Sequence, residues 1–352
     1  MPPFVDKADV QVESEDNLEK LVAPQAAPRK FQVVYRNLVT FGLAHLSALY
    51  GLYLAVTVAK WYSVFFCIFL EILAGIGVTA GAHRLWTHRA YKAKMPLQII
   101  LIVMNSLAFQ NSALDWIRDH RLHHRYSDTD ADPHNATRGF FYSHVGWLLV
   151  RKHPEVKRRG KFLDLSDVYA NPVLTFQKNG PGVEIPFIFE RKKTILQCLE
   201  LHRYAIPFIG TICFLLPTVI PWYYWGESLY VAWYLTMLRY VYSLNATFLV
   251  NSAAHLWGNK PYDQYIKPVQ NLFVSFVSHG EGFHNYHHAF PWDYRTAELG
   301  NNWLNLTTLF IDFFAWVGWA YDLKTVPDDV ISARAERTGD GTNSWGFKNK
   351  SN

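Results

Sequence analysis

The sequence predicts an all-α integral-membrane fold, with four transmembrane helices in two hairpins beneath a helical cytosolic cap. Three observations carry this: four long apolar runs that come in pairs, a lopsided distribution of basic residues, and histidines gathered where the runs end. The 352 residues are half apolar, 16% aromatic and only 18% charged. That balance points to a membrane protein or one with a large core, and away from disorder. The mean hydropathy of −0.03 is the average of two unlike populations, apolar spans and a basic cap.

The first twenty residues, MPPFVDKADVQVESEDNLEK, are polar and acidic. They contain no apolar core of a cleavable signal peptide, and residues 1–35 read as a disordered cytosolic segment. A helix crossing a bilayer needs about 20 apolar residues, and four runs meet this at about 37–59, 61–82, 204–220 and 228–254. Lys60 separates the first two, and PWYYWGE, a proline and aromatic turn suited to an interface, joins the last two. Residues 83–203 and 255–328 form the cap. Two apolar segments within it, Met95 to Leu114 and Trp303 to Trp319, are interrupted by Asn105, Gln110, Asn111, Asn305 and Asp312. They read as interfacial or packed helices rather than spans. The last residues, 329–352, read as a flexible cytosolic tail.

Lys and Arg are retained on the cytosolic side. Nineteen of them lie between His83 and Arg203, five precede Asn37 and eight follow Trp257, whereas the two short turns hold only Lys60. Both termini and the central loop are therefore expected in the cytosol. The net charge of +5 is then a topology signal, and no nucleic-acid partner is expected because the basic residues are not gathered on one motif. Cys67, Cys198 and Cys213 are odd in number and show no CxxC spacing, so neither a disulfide framework nor a cysteine zinc site is expected.

Nine of the 15 histidines fall in four places: His83 and His88 in HRLWTH, His120, His123 and His124 in HRLHH, His255 in NSAAH, and His284, His287 and His288 in HNYHH. In each HxxHH box, positions i, i+3 and i+4 share a helix face, so three imidazoles are expected to converge. Neutral imidazole ligates iron, zinc and copper. His83 follows the second apolar run and His255 the fourth, so spacing and charge place every box at the same membrane face. Eight or nine nitrogen ligands exceed one tetrahedral ion and suit two metals. His45, His134, His144, His153, His202 and His279 read as bystanders.

The three boxes, with GVTAGAHRLWTHRAYKAK, DADPHNATRGFFYSHVGWLLVRKHPEV, LVNSAAHLWG and GEGFHNYHHAFPWDYRTAELG around them, resemble the integral-membrane fatty acyl-CoA desaturases. The likeness extends over about residues 36–341 and is especially marked to the insect branch and its moth Δ11-type enzymes of pheromone synthesis, so that it implies Δ11-type (or Δ9) desaturation. It implies an endoplasmic-reticulum protein with a site for two iron ions as Fe2+ and no haem or flavin. Its co-substrate would be O2, its substrate a saturated fatty acyl-CoA, and its electrons would come from cytochrome b5 and NADH-cytochrome b5 reductase. The nine box histidines would hold the irons, and Asn251 would hold a metal-bound water. Iron can cycle oxidation states as attack on an unactivated methylene requires, whereas zinc cannot.

The same resemblance places Asn37, Asn111, Arg118, Asp119, Arg151 and Lys152 at the CoA moiety, in keeping with the use of Arg and Lys for phosphates. An acyl chain needs a dry tunnel, and Glu71, Gly75, Thr79 and His83 recur every four residues along one helix face towards the metals. Gly75 and Gly77 would leave room for the chain. Glu71 is unusual as an ionisable residue within a span, and the resemblance puts it near the methyl end. Two features depart from the family pattern: an insertion over about 179–203, and KPVQ at Lys267–Gln270, the four-residue position by which moth desaturases are grouped. The same boxes would also serve a membrane di-iron lipid hydroxylase or a desaturase of another lipid. A zinc-holding receptor-like hydrolase or transporter fits the four spans and nine histidines less well. Double-bond position, cis or trans outcome and chain length are not carried by any motif.

Overall fold

The computed structural model describes residues 30–180, 204–298, 304–345 and 347. The predicted insertion at 179–203 lies outside them from residue 181 onward, as does Cys198. Helix α1 is Tyr35–Thr57 and α2 is Trp61–Ile76, continuing into a widened π-helical stretch, Gly77–Thr87. With α6, Tyr204–Trp225, these are the three described helices long and apolar enough to cross a membrane. At 1.5 Å per residue, the 23 residues of α1 reach roughly 34 Å, enough for the hydrocarbon core.

The fourth predicted span is α7, Leu229–Asn251, equal to α1 in length. It is less apolar because it carries four tyrosines, Asn245 and Arg239. Arg239 is buried, and its Nη1 donates to the Leu107 carbonyl at 3.0 Å and its Nη2 to that of Cys213 at 2.8 Å. The Leu107 carbonyl belongs to the end of α3 (Met95–Ala108), where helical carbonyls lack intrahelical donors and a cation is favoured. The α6 helix runs through Pro221 to Trp225, five residues past its predicted end, and stops where Gly226 adopts a left-handed φ of 65°.

The two hairpins are fastened at their turns. Glu227, buried, accepts from the Lys60 amide at 2.9 Å and from Ser63 Oγ at 2.6 Å, while Lys60 Nζ donates to the carbonyls of Trp225 and Gly226. Each turn therefore supplies the polar partners that the other needs.

The segment from Met95 is not one interfacial helix. It bends by 83° between α3 and α4, Ala113–Arg125, at a corner where Phe109 and Asn111 take positive φ. Ser112 Oγ then caps α4 by accepting from the Asp115 amide. The α3 helix packs on α2 and buries Leu97, Leu101 and Ile102 in the main core. A two-stranded sheet, β1 (Lys92–Ala93) against β2 (Ala320–Tyr321), ties together the cap, which also holds α5 (Pro172–Asn179) and α9 (Leu306–Trp316).

Both predicted loose ends are corrected where they are described. Near the start, Val34 N donates to Leu149 O and Arg151 N to Gln32 O, so residues 32–34 lie paired against 149–151. At the other end, α10 spans Asp328–Thr338 in place of a flexible tail. Ile331 is 2% exposed and packs with Tyr262, Tyr286, Phe290 and Val326. A low mean apolarity hid one well-placed isoleucine, and packing rather than composition orders the segment.

Candidate metal centre

His83 stands in the π-helical stretch and His88 just after it. His120, His123 and His124 stand on α4, and His255 on the short Ala253–Leu256 helix that follows α7. His284, His287 and His288 stand on α8, His284–Ala289. A widened π turn is frequent at functional sites. These elements bring the nine side chains into two groups: His83, His88, His120, His124 and His287 in one, and His123, His255, His284 and His288 in the other. In each group the potential ligand atoms lie within 4.8 Å of one another.

The boxes do not each face one side as the spacing suggested. In HRLHH, positions i and i+4 (His120, His124) join the first group and i+3 (His123) the second; in HNYHH, His284 and His288 join the second and His287 the first. Neighbouring residues are about 100° apart around a helix axis, so i+3 and i+4 diverge enough to face different centres. The Nε2 atoms of His83 and His287 are 3.0 Å apart, those of His124 and His287 2.9 Å, and those of His255 and His284 3.0 Å.

Carboxylates that the sequence reading passed over stand behind these rings. Glu281 Oε2 is 2.8 Å from His83 Nδ1, Asp132 Oδ2 is 2.9 Å from His123 Nδ1, and Asp128 Oδ2 is 3.2 Å from His255 Nδ1. A carboxylate on the far nitrogen fixes the tautomer and turns the other nitrogen towards a metal. The loop after α4 holds its two acids by backbone bonds: the amides of Asp128 and His134 donate to Asp132, and that of Ala136 to Asp128. The acidic run DTDAD, three residues after HRLHH, was the available signal. Arg84, fully buried, donates through Nε and Nη2 to Glu281 Oε1 and fixes the third acid.

The electrostatics favour uncharged imidazole. Burial pushes His88, His284, His287 and His288 well below the ordinary histidine value, and neighbouring histidines push them further. His123 moves the other way: burial lowers it, but the Asp132 carboxylate outweighs that. Nε2 of His88 and of His120 is buried without any hydrogen-bond partner. Such orphaned, neutral nitrogens are costly unless something accepts their lone pairs, so the donor set fits two metal ions. Between its histidines, HNYHH is clamped to the cap. Asn285 Oδ1 accepts from the amides of Tyr262 and Asp263, its Nδ2 donates to the carbonyls of Asp263 and Pro268, and the Tyr286 hydroxyl donates to Asp293 at 2.8 Å.

Two cavities meet beside the histidines. The outer one, of about 520 Å³, is lined by Arg36, Asn37, Asn111, Asp119, Trp147 and others. The inner one, of about 50 Å³, continues to Glu71, Gly75, Thr79 and His279. Trp116, His120, Thr247 and Asn251 line both. There Trp116 Nε1 donates to Gln110 Oε1 at 3.2 Å and Gln110 Nε2 to Thr247 Oγ1 at 2.8 Å, a chain fixed across the junction. Of the residues expected at CoA, Asn37, Asn111 and Asp119 line the outer cavity. Arg118 and Lys152 pair with Asp119 beside it, and Arg151 is anchored through its amide. Arg36 lines the same wall and was not singled out.

The glycine expectation is corrected. A Cβ on Gly75 would lie 2.1 Å from the His279 ring, and one on Gly77 would lie 2.2 Å from the Asn105 amide nitrogen. Gly75 therefore admits an imidazole, and Gly77 lets α2 close on α3. Two of the histidines read as bystanders, His134 and His279, line the outer and inner cavity respectively.

A family model described as fatty acid desaturase matches residues 59–307. The chain is 60% identical to the acyl-CoA Delta(11) desaturase of Spodoptera littoralis over 99% of this chain and 96% of that one. It is 58% identical to the (11Z)-hexadec-11-enoyl-CoA conjugase of Bombyx mori, over 97% and 98% respectively. Against the stearoyl-CoA desaturase of Sus scrofa it is 48% identical, over 96% and 88%.

Proposed function

The chain belongs to the fatty acid desaturase family, and on that premise we propose that it inserts a double bond into a saturated long-chain acyl-CoA with Δ11-type regiochemistry, serving insect unsaturated-fatty-acid and pheromone synthesis. The observation that carries the reading is the junction of the two cavities, where His120 belongs both to the tunnel wall and to the first histidine group. Two iron ions, held by the five and the four histidines, would supply the redox chemistry by which O2 takes up two substrate hydrogens, two further electrons and two protons to become two waters. Asn251, which lines both cavities, would orient a water beside the metals.

The chain's own residues do the positioning. The outer cavity admits the acyl chain while Arg36, Asn37 and the Arg118–Asp119–Lys152 network sit at the polar end, suited to a phosphate-bearing head. The hydrogen-bonded Trp116, Gln110 and Thr247 set where the chain turns past His120. A methylene chain offers no polar handle, so the wall's shape selects the carbons that come next to the irons. Glu281, Asp128 and Asp132 keep His83, His255 and His123 in the ligating tautomer.

In this reading α7 is the fourth span and both termini and the cap face the cytosol of the endoplasmic reticulum. The basic cap would receive electrons from cytochrome b5, reduced by its NADH reductase. The test is expression in desaturase-deficient yeast fed with C14, C16 and C18 acids, with double-bond positions read by mass spectrometry of derivatised products. Δ11-monounsaturated acids are expected. Hydroxy acids as the main product would establish a hydroxylase instead.

A further inference from the structure

The outer cavity reaches further than the route from its polar mouth to the metals requires. Besides Arg36 and Asn37 at the mouth, it is lined by Ala44 on α1 and by Met237, Tyr240 and Leu244 on α7. At 1.5 Å per residue, Ala44 stands roughly 14 Å past the start of α1 and Tyr240 roughly 16 Å before the end of α7, both at hydrocarbon depth. The two cavities use different faces of α7: Ser243, Ala246 and Val250 line the inner one, and Met237, Tyr240 and Leu244 the outer one. Residues 243 and 244 point about 100° apart, so α7 divides the inner cavity from a second apolar branch that the reading above leaves without an occupant.

That branch has an open side. Met237 and Leu244 are buried and form its floor, whereas Phe41, Ala44 and Tyr240 are half-buried and Thr40 is exposed. Residues that line a cavity while remaining exposed mark an opening, and beside a span that opening faces lipid. The seam between α1 and α7 is closed: His45 Nε2 lies 3.2 Å from Asn245 Nδ2, and a Cβ on Gly51 would meet the Tyr234 carbonyl oxygen at 2.2 Å. The opening is therefore on the other side of α1, facing the corner at Phe109. There the Phe109 ring, on a backbone of positive φ, 47°, packs 5.1 Å from Phe214 and 6.0 Å from Tyr240.

We infer that this branch is a side portal through which the acyl tail passes between the bilayer and the junction while the CoA head stays at the polar mouth; the inference rests on the acyl-CoA reading above. The physical reason is the cost of wetting a hydrocarbon. Every methylene brought into water costs free energy, and the cost adds along the chain. A tail that left the bilayer, crossed water and threaded the mouth end-on would bear all of it. A tail that slides sideways between α1 and the Phe109 corner stays among apolar groups until it reaches Trp116 and His120. The order of residues on α1 suits a ligand with one end of each kind: Arg36, Thr40 and Ala44 recur every four residues on one face, polar at the mouth and apolar below. The edge is pinned above and below the opening. Asn37 Nδ2 donates to the Leu148 carbonyl at 2.8 Å, and the Tyr230 hydroxyl donates to that of Tyr50 at 2.7 Å. Side chains rather than helix positions therefore set the width of the slot.

The experiment follows C16-CoA binding to the full-length protein in phosphatidylcholine nanodiscs by stopped-flow tryptophan fluorescence, since Trp116 stands at the junction. Ala44→Phe and, separately, Thr40→Phe narrow the slot, and Phe41→Ala widens it. The narrowed variants are expected to slow association and dissociation alike, by about tenfold, with Kd near the wild-type value, and Phe41→Ala to speed both. Coenzyme A without a tail should bind every variant at the wild-type rate. Unchanged C16-CoA rates in both narrowed variants would overturn the portal. So would a weaker Kd at an unchanged association rate, which would make the branch part of the binding wall. A bilayer phospholipid that stays bound under saturating C16-CoA, found by mass spectrometry, would assign the branch to that lipid instead. Failure of the wild type to bind C16-CoA at all would remove the acyl-CoA reading as well. If one narrowed variant does not accumulate, the other and Phe41→Ala still decide the matter, because they move the rates in opposite directions.

Discussion

Glu281 holds His83 with one oxygen and Arg84 with the other: Oε2 is 2.8 Å from His83 Nδ1, and Oε1 is 2.9 Å from Arg84 Nη2. The carboxylate is buried and turns one imidazole while its own charge is met by a fully buried guanidinium. Adjacent residues of HRLWTH thus play opposite parts, one facing the metal site and one facing its support.

Glu281→Gln keeps the shape and removes the charge, leaving Arg84 uncompensated. The expected outcome is metal affinity lower by about 10–100-fold, measured as iron retained against graded chelator, with retention near wild type as the contrary result. A loss of stability of about 3–5 kcal/mol should accompany it, because the buried guanidinium has lost its counter-charge.

The division of each HxxHH box between two groups makes a sharper prediction about stoichiometry. His120→Ala removes a donor from the first group and His284→Ala one from the second. Each is expected to lose one of two irons preferentially and to abolish desaturation, and elemental analysis of purified protein reads this directly. Loss of both ions in step from either variant would mean that the groups do not fill independently. Stoichiometric zinc in active wild-type protein would sink the iron assignment.

Ile331 on α10 packs against Tyr286 of HNYHH through a small cluster. Ile331→Ala is expected to cost about 2–5 kcal/mol, seen as a lower midpoint of thermal unfolding in detergent. Deleting residues from 328 onward should cost more and release iron, since it also removes the ion pair of Arg334 with Asp263, whose backbone holds Asn285.

Asp167 joins the cap through Arg121 and Arg89. Burial alone would raise its carboxyl, but hydrogen bonds and charge from the two arginines hold it well below the usual carboxylate range. A depressed folded value means that the stabilisation is complete above the unfolded value of about 3.9 and is lost as pH falls below it. Asp167→Asn should therefore lower the unfolding temperature at neutral pH. The gap to wild type should narrow progressively as pH falls below about 3.9 and close only once the carboxyl is protonated in the folded state as well, and a constant gap would show that the pairing is not what stabilises.

Periodicity and charge were enough for the helical class and for the three described helices that are long and apolar enough to cross a membrane, because long apolar runs are local properties of a chain. Helix α7 was legible too, although its tyrosines and Arg239 dilute its hydropathy. Motif spacing likewise marked all nine histidines that converge. The structural ends of the chain were harder. A single buried isoleucine orders α10, and a composition average does not register one residue.

What spacing could not assign is which histidine faces which centre, since that depends on how α4 and α8 are turned towards each other after folding. Nor could it assign the supporting acids, which lie 9 residues from His123 in one case and 198 from His83 in another. The inner cavity is the clearest case. Gly75 looked like empty space along α2, and only a loop some 200 residues later, carrying His279 in a left-handed conformation, fills it. Sequence determined the chemistry because ligand identity is a property of side chains. The tertiary structure decided the shape around it, because a cavity belongs to several elements at once and to none of them alone.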